Sequence, residues 1–275
     1  MSSTARRLAG AYSVDQAKVV PKEFLGNGYI KHTPALASTW RQIVEELPLP
    51  LHKHLIDICF VVLKPDALAS NKGLAMWQKL IDHGLQPLLA WPCLDSGLRH
   101  FEELYKFNLT LNNNQCMLSS WWLHNQPYEM GPVIALLVRI PPEVRGDAAA
   151  CDYFAHIKGP SNPFQAKPGQ LRFDLVPTNM ALNLLHSSDD PISCFREVRI
   201  FAPKSVVREG LLRAEQIEST AKDMVQVIGK AFEEFNIALR TVGYAEHDLD
   251  LVSTLVRLKL RLRLASRTEV GDLSS

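Results

Sequence analysis

The chain has 275 residues, 47% hydrophobic and 21% charged, an ordinary composition for a globular protein with room for a sizeable core. Thirty Lys and Arg stand against 29 Asp and Glu, a net charge of +1, which argues against a chain that binds nucleic acid or an anionic membrane along its whole length. No apolar run reaches the roughly 18–20 residues that cross a bilayer, and the opening MSSTARRLAG lacks the apolar stretch of a secretory leader, so a soluble cytoplasmic protein is expected.

The first 57 residues are irregular, with Pro21, Gly26, Gly28, Pro34, Pro48 and Pro50 interrupting short apolar pieces. Trp40, Ile43, Val44 and Leu47 predict one short helix over 39–46, capped by Ser38 or Thr39 and ended by Pro48 and Pro50. This part reads as an extension that packs on something else. Ile58 to Leu63 (ICFVVL) is a continuous apolar run of the length and β-branching of a strand buried on both faces. Lys64, Pro65 and Asp66 follow at once. Leu74, Trp77, Leu80 and Ile81 mark an amphipathic helix over 73–83, stopped by Gly84.

A second strand is expected over 85–93, a helix over 98–107 and a buried strand over 132–140. Pro141-Pro142 opens a helix running to about His156. The Gly/Pro-rich stretch 159–169 is a loop, Asp190 to Arg196 begins a last short helix, and Val198 to Phe201 reads as a final strand. The order β-α-β-α-β-α-loop-α-β suggests an α/β (α+β) sandwich of ferredoxin-like βαββαβ type. Beyond Lys204, Ile217, Ala221, Met224, Val225, Ile228, Phe232, Phe235 and Leu239 recur at spacings of three and four, predicting a long helix within 206–242. Residues 249–264 fit a helix in their first half and a strand in their second. The basic residues Arg257, Lys259, Arg261 and Arg263 read as a solvated face.

Cys59, Cys93, Cys116, Cys151 and Cys194 are odd in number and form no CxxC pair, so reduced core thiols are expected. No Walker-type, GxGxxG, HExxH or GxSxG motif is present. What stands out is Asn183-Leu-Leu-His186-Ser-Ser-Asp189, with Glu197 beyond it and Lys167-Pro-Gly-Gln-Leu-Arg172 before it. A neutral imidazole is nucleophilic near pH 7, and a carboxylate can hold its second nitrogen. Phosphoryl transfer also needs positioned cations, for which Lys64 at a strand end and Arg172 in a loop are suitable.

Taken together, residues 58–201 resemble the nucleoside diphosphate kinase family. Phe60 to Asp66 (FVVLKPD) looks like the family's first strand and Lys-Pro-Asp motif, and Met130-Gly-Pro-Val133 is similar to its entry to a central strand. Gly159-Pro-Ser-Asn-Pro163 with Lys167 to Asp174 resembles Gly-x-Thr-Asn-Pro…Lys-Pro-Gly-x-Ile-Arg-x-Asp, and Asn183 to Asp189 resembles Asn-x-x-His-Gly-Ser-Asp.

The resemblance implies roles. His186 is the phosphoryl acceptor and Glu197 orients it. Lys64 and Arg172 contact phosphate oxygens. Tyr105 aligns with a tyrosine near the catalytic pocket, and Asn183 bonds sugar or phosphates. Ser161 occupies a phosphate-bonding threonine position, and Ser188 supports His186. Asp66, Pro163 and Asp189 are structural. The implied partners are nucleoside tri- and diphosphates, with Mg2+ carried by the nucleotide, and the implied assembly is a homo-oligomer.

There are departures from the pattern. Ala155 stands at a phosphate-binding arginine position, and Arg145 or Lys158 substitutes only if the helix is shifted. One lost charge-assisted contact costs on the order of 1.5–3 kcal/mol, roughly ten- to a hundredfold. Ser187 replaces a glycine, which is awkward if the backbone there needs a positive φ. The segment 106–130 is longer than in the family, and Trp121 or Trp122 is a candidate to stack on the base.

The expectation is a phosphotransferase working through phosphohistidine, organised as an extension (1–57), a kinase-like domain (58–202) and a mainly helical extension (203–275). The alternative is a catalytically weak or inactive nucleotide-binding module that presents its extensions to a protein partner. A third reading, an enzyme specialised for an unusual substrate, follows from the altered segment 106–130.

Overall fold

A computed structural model of the chain describes residues 20–25, 33–94, 96–111, 127–219 and 224–242. The stretch 249–264, Trp121, Trp122, Cys116 and Gly243 lie outside the described residues.

Four strands, β1 (Ile58–Leu63), β2 (Gln86–Cys93), β3 (Val133–Arg139) and β4 (Leu185–Ser187), form one sheet in the order β2-β3-β1-β4. Every pairing is antiparallel, with Cys59 opposite Val138 and Val62 opposite both Ala135 and His186. The continuous apolar runs of β1 and β3 belong to the two central strands, buried along their whole length. Each of their Val, Leu, Ile and Phe side chains contributes roughly 1.5–3 kcal/mol by leaving water. Pro87 and Pro92 fall in β2, an edge strand, where a missing N–H donor is tolerated. The fold is α+β.

The helices are α1 (Thr33–Glu46), α2 (Gly73–Asp82), α3 (Leu98–Leu111), α4 (Ala150–Lys158), α5 (Pro191–Phe201), α6 (Ser205–Ser219) and α7 (Met224–Thr241). Several expectations need correction. The strand expected at 198–201 is the last turn of α5. Asp190 caps that helix by accepting from the Ser193 N–H at 2.7 Å, Pro191 occupies its first turn, and Cys194, Phe195, Val198 and Phe201 continue one buried helical face. The fourth strand lies earlier, at β4, so helix and strand are exchanged in order.

The helix expected from Pro142 to about His156 is broken. A single turn, Pro142–Arg145, ends at Gly146 with φ 63°, and α4 begins at Ala150. The long helix expected within 206–242 is two, α6 and α7. At the other end, α1 begins at Thr33 rather than Thr39, and a short turn, Leu49–His52, follows it directly.

Described residues before and after 58–202 enter one core. Phe24 stacks on Trp40 at 5.2 Å, and Trp40, Ile43, Leu47 and Leu51 are buried with Phe195 and Val198 in the same cluster. Arg199 of α5 ties α1 through Gln42 and Glu46, each at 3.1 Å. From the other end, Phe235 of α7 stacks on Trp77 of α2 at 4.3 Å. Arg213 of α6 donates to the Leu88 carbonyl of β2 at 2.7 Å and to Glu234 of α7. At Gly210 of α6 an added Cβ would meet Leu137 Cδ2 at 2.1 Å, so the glycine lets this helix lie close on the sheet. Cys59, Cys151 and Cys194 are buried free thiols, and Cys93 is half-buried with its Sγ 3.9 Å from His100 Nε2. Among the described residues no helix is long and apolar enough to cross a membrane.

Candidate active site

The short strand β4 hangs on the free edge of β1 and carries His186. The chain enters it through a bend at Leu184, whose φ of 73° is in the left-handed region that side chains disfavour. Two hydrogen bonds hold that bend. The Leu184 N–H donates to Asp66 Oδ2 at 2.8 Å, and the Lys64 N–H donates to the Leu184 carbonyl at 2.9 Å. Lys64-Pro-Asp66 thus fixes the entry to the histidine strand. The positive φ in this stretch falls at Leu184, while Ser187 sits in regular strand opposite Val61, where a serine is unstrained.

Successive side chains of a strand leave on opposite faces. His186 and Ser188 share the face toward α5, and both reach Glu197. His186 Nε2 lies 2.8 Å from Glu197 Oε2, to which Ser188 Oγ also donates at 2.6 Å, while Arg196 Nη2 donates to Oε1 at 3.0 Å. Burial alone would raise the Glu197 carboxyl, but His186, Arg196 and Ser188 together hold it below its usual value. With a carboxylate on Nε2, the proton of a neutral imidazole sits there and Nδ1 keeps its lone pair. Nδ1 faces Tyr105 Oη of α3 at 3.3 Å, and that hydroxyl lies 3.4 Å from Tyr128 Oη. Burial raises the Tyr105 phenol to about 12, so it is a neutral hydroxyl at physiological pH.

A second set surrounds Lys64. Its Nζ donates to Asn183 Oδ1 at 2.7 Å and to the Ala181 carbonyl at 2.5 Å. Burial, the largest influence, lowers its pKa to about 8, with Asp66 raising and Arg172 lowering it. Asn183 Nδ2 reaches the Ser161 carbonyl at 3.3 Å, so Ser161 meets this network through its main chain, while the residue itself is exposed. Arg172 is 3% exposed and donates to three carbonyls, Asn183 at 3.2 Å, Gly159 at 3.0 Å and Leu185 at 2.8 Å. Its guanidinium clamps the 159–163 loop to the histidine strand, a structural employment that the motif does not reveal.

His186, Glu197, Ser188 and Tyr105 therefore form one hydrogen-bonded chain, and Lys64, Asn183, Arg172 and the Ser161 main chain a second one beside it. The two substitutes for Ala155 are employed elsewhere. Arg145 pairs with Asp57 at 2.5 Å. Lys158 donates to Ser187 Oγ at 2.6 Å, on the face of β4 away from His186. Arg196 and Tyr128 belong to the first chain and were not singled out from the sequence. Arg196 adjoins Glu197, a usable signal, whereas Tyr128 reaches Tyr105 only through the fold.

A model of the family described as nucleoside diphosphate kinase matches residues 57–207, more than half of the chain. A nucleoside diphosphate kinase of Streptomyces avermitilis is 37% identical over 76 residues, which are 28% of this chain and half the length of that relative. Among solved structures, the apo nucleoside diphosphate kinase of Encephalitozoon cuniculi is similar at 18% identity and a TM-score of 0.43, covering 53% of this chain and 88% of the other. The Halobacterium salinarum enzyme in complex with CDP is similar at 19% identity and 0.42, covering 54% and 89%. On the family match, the chain belongs to the nucleoside diphosphate kinase family.

Proposed function

We propose that the protein is a phosphotransferase that moves the terminal phosphate of a nucleoside triphosphate to a nucleoside diphosphate through phosphohistidine at His186. The observation that carries this reading is the imidazole itself, with Nε2 fixed on a buried, doubly supported carboxylate and Nδ1 left with its lone pair toward Tyr105. Nδ1 attacks the γ-phosphorus, the bond to the β–γ bridging oxygen breaks, and the diphosphate leaves with that electron pair. The Nε2 proton stays on the hydrogen bond to Glu197, which stabilises the positive charge that grows on the ring. A β-phosphate oxygen of the second nucleotide then attacks the same phosphorus and Nδ1 leaves. Lys64 and Asn183 are the proposed phosphate ligands, with Tyr105 donating to a phosphoryl oxygen and Ser161 lining the entry. Arg172 joins them through the N–H bonds its three carbonyls do not take.

The nucleotide enters as its magnesium complex. The phosphates and water supply the ligands of the ion in this reading. Incubation with γ-labelled MgATP tests the proposal. Acid-labile, base-stable label on the wild-type chain and none on His186→Ala is expected, and equal labelling of the two would reject it.

A second reading, a nucleotide-binding module with weak turnover, has its own support. Ala155 brings no charge, and Arg172 spends three donors on the protein's own carbonyls. Calorimetric binding of MgADP without label transfer would favour it.

A further inference from the structure

One partly buried charge close to this site takes no part in the chemistry above. Lys158 is the last residue of α4, and its Nζ donates to Ser187 Oγ at 2.6 Å. Ser187 is 1% exposed and directly follows His186 on β4. Because His186 and Ser188 point toward Glu197 on α5, Ser187 and the ammonium it holds lie behind the strand.

Among the described residues no carboxylate lies within ion-pair distance of this ammonium. The titratable groups that act on it are Arg172 of the 171–174 turn, Asp189 before α5, Cys59 on β1 and, across the strand, Glu197 on α5. Burial, and then Arg172, lower its pKa to about 8, against the opposing pull of Asp189, Cys59 and Glu197. Desolvation of this partly buried ammonium, which lowers its pKa, works against the fold relative to an apolar side chain of similar volume. The two departures of this chain from its family meet at this point. Ala155 lies three residues earlier on α4 and brings no charge, and the hydroxyl at 187 is the group that fixes Lys158.

We propose that Lys158, anchored by Ser187, is a positioning residue for His186, supplying from behind β4 a positive charge that Ala155 does not supply. Its field favours the phosphorylated form of His186, which adds the negative charge of a phosphoryl group to the site. The inference rests on the phosphotransferase reading. It differs from a packing role in one respect: removing the charge should make the protein more stable and less active at once.

The experiment is single-turnover labelling with γ-labelled MgATP, alongside thermal unfolding and MgADP calorimetry, on wild type, Lys158→Met, Lys158→Arg and Ser187→Ala. Expected for Lys158→Met are labelling slower by about tenfold, nucleotide affinity within about twofold and a higher Tm. Lys158→Arg recovers most of the rate. Ser187→Ala, which keeps the charge but frees it, falls between. The rate also falls as pH rises through about 8, where Lys64 titrates too, and this alkaline limb is shallower in Lys158→Met. Wild-type label with an equal rate in Lys158→Met overturns this inference alone, as does a slow variant that is also less stable. No label on wild type overturns the phosphotransferase reading, and the inference with it.

Discussion

Glu197 is 5% exposed, and three side chains donate to or balance its two oxygens. Its folded pKa lies below its unfolded one, so its contribution to stability is present above the unfolded value and lost as pH falls through the folded value. Glu197→Gln keeps the shape and removes the charge that stabilises the growing imidazolium, so phosphoenzyme formation should slow by roughly ten- to a hundredfold, about 1.5–3 kcal/mol. Single-turnover labelling measures this. Lys64 gives a limb at the other end of the pH scale. Its pKa is depressed to about 8 by burial, so the ammonium proposed to meet the phosphates is lost as pH rises through that value. The profile of kcat/KM should fall there, and Lys64→Gln should remove most activity at every pH. Much of the geometry of this cluster was readable in the sequence, because His186, Ser188 and Glu197 lie within a dozen positions and the Lys-Pro-Asp motif adjoins a buried strand. The employment of Arg172 on three carbonyls was not readable, since its acceptors are main-chain atoms that carry no residue code.

The elements near the site differ in how far their residues announced them. β1 and β3 were legible because strands buried on both faces are unbroken apolar runs. β4 was not, because three residues entered through a left-handed bend offer no period to count. The tail of α5 misled because Val198 to Phe201 is β-branched and aromatic, while the capped start at Asp190 and Pro191 and the helical spacing back to Cys194 decided for helix. Two predictions belong at this scale. Arg172→Met leaves the Asn183, Gly159 and Leu185 carbonyls without their donor, and a loss of at least about 3 kcal/mol is expected in denaturant unfolding. Ala155 is partly exposed on α4. Ala155→Arg should raise kcat/KM by roughly ten- to a hundredfold by restoring a charge-assisted phosphate contact, as steady-state kinetics with MgATP and a nucleoside diphosphate will show.

At the scale of the molecule, the described residues on either side of 58–202 are fastened to the core that carries the site. α1 buttresses α5, the helix of Glu197, through Arg199, while α6 and α7 close over α2 and the edge strand β2. Ile217, Phe235 and Leu239 of the amphipathic C-terminal stripe pack on their own chain, while Val225 and Phe232 of the same stripe stay exposed; periodicity left this open because it reports an apolar face and not what meets it. Phe235→Ala removes a fully buried ring stacked on Trp77. It should cost about 3–5 kcal/mol, read as a lower unfolding midpoint. Everything said here of function turns on whether the imidazole of His186 accepts phosphate. The direct measurement is the label retained after γ-labelled MgATP is mixed with the full chain. Acid-labile, base-stable label on wild type that vanishes in His186→Ala and transfers to added nucleoside diphosphate is predicted, and an unlabelled wild type that still binds MgADP would contradict the account.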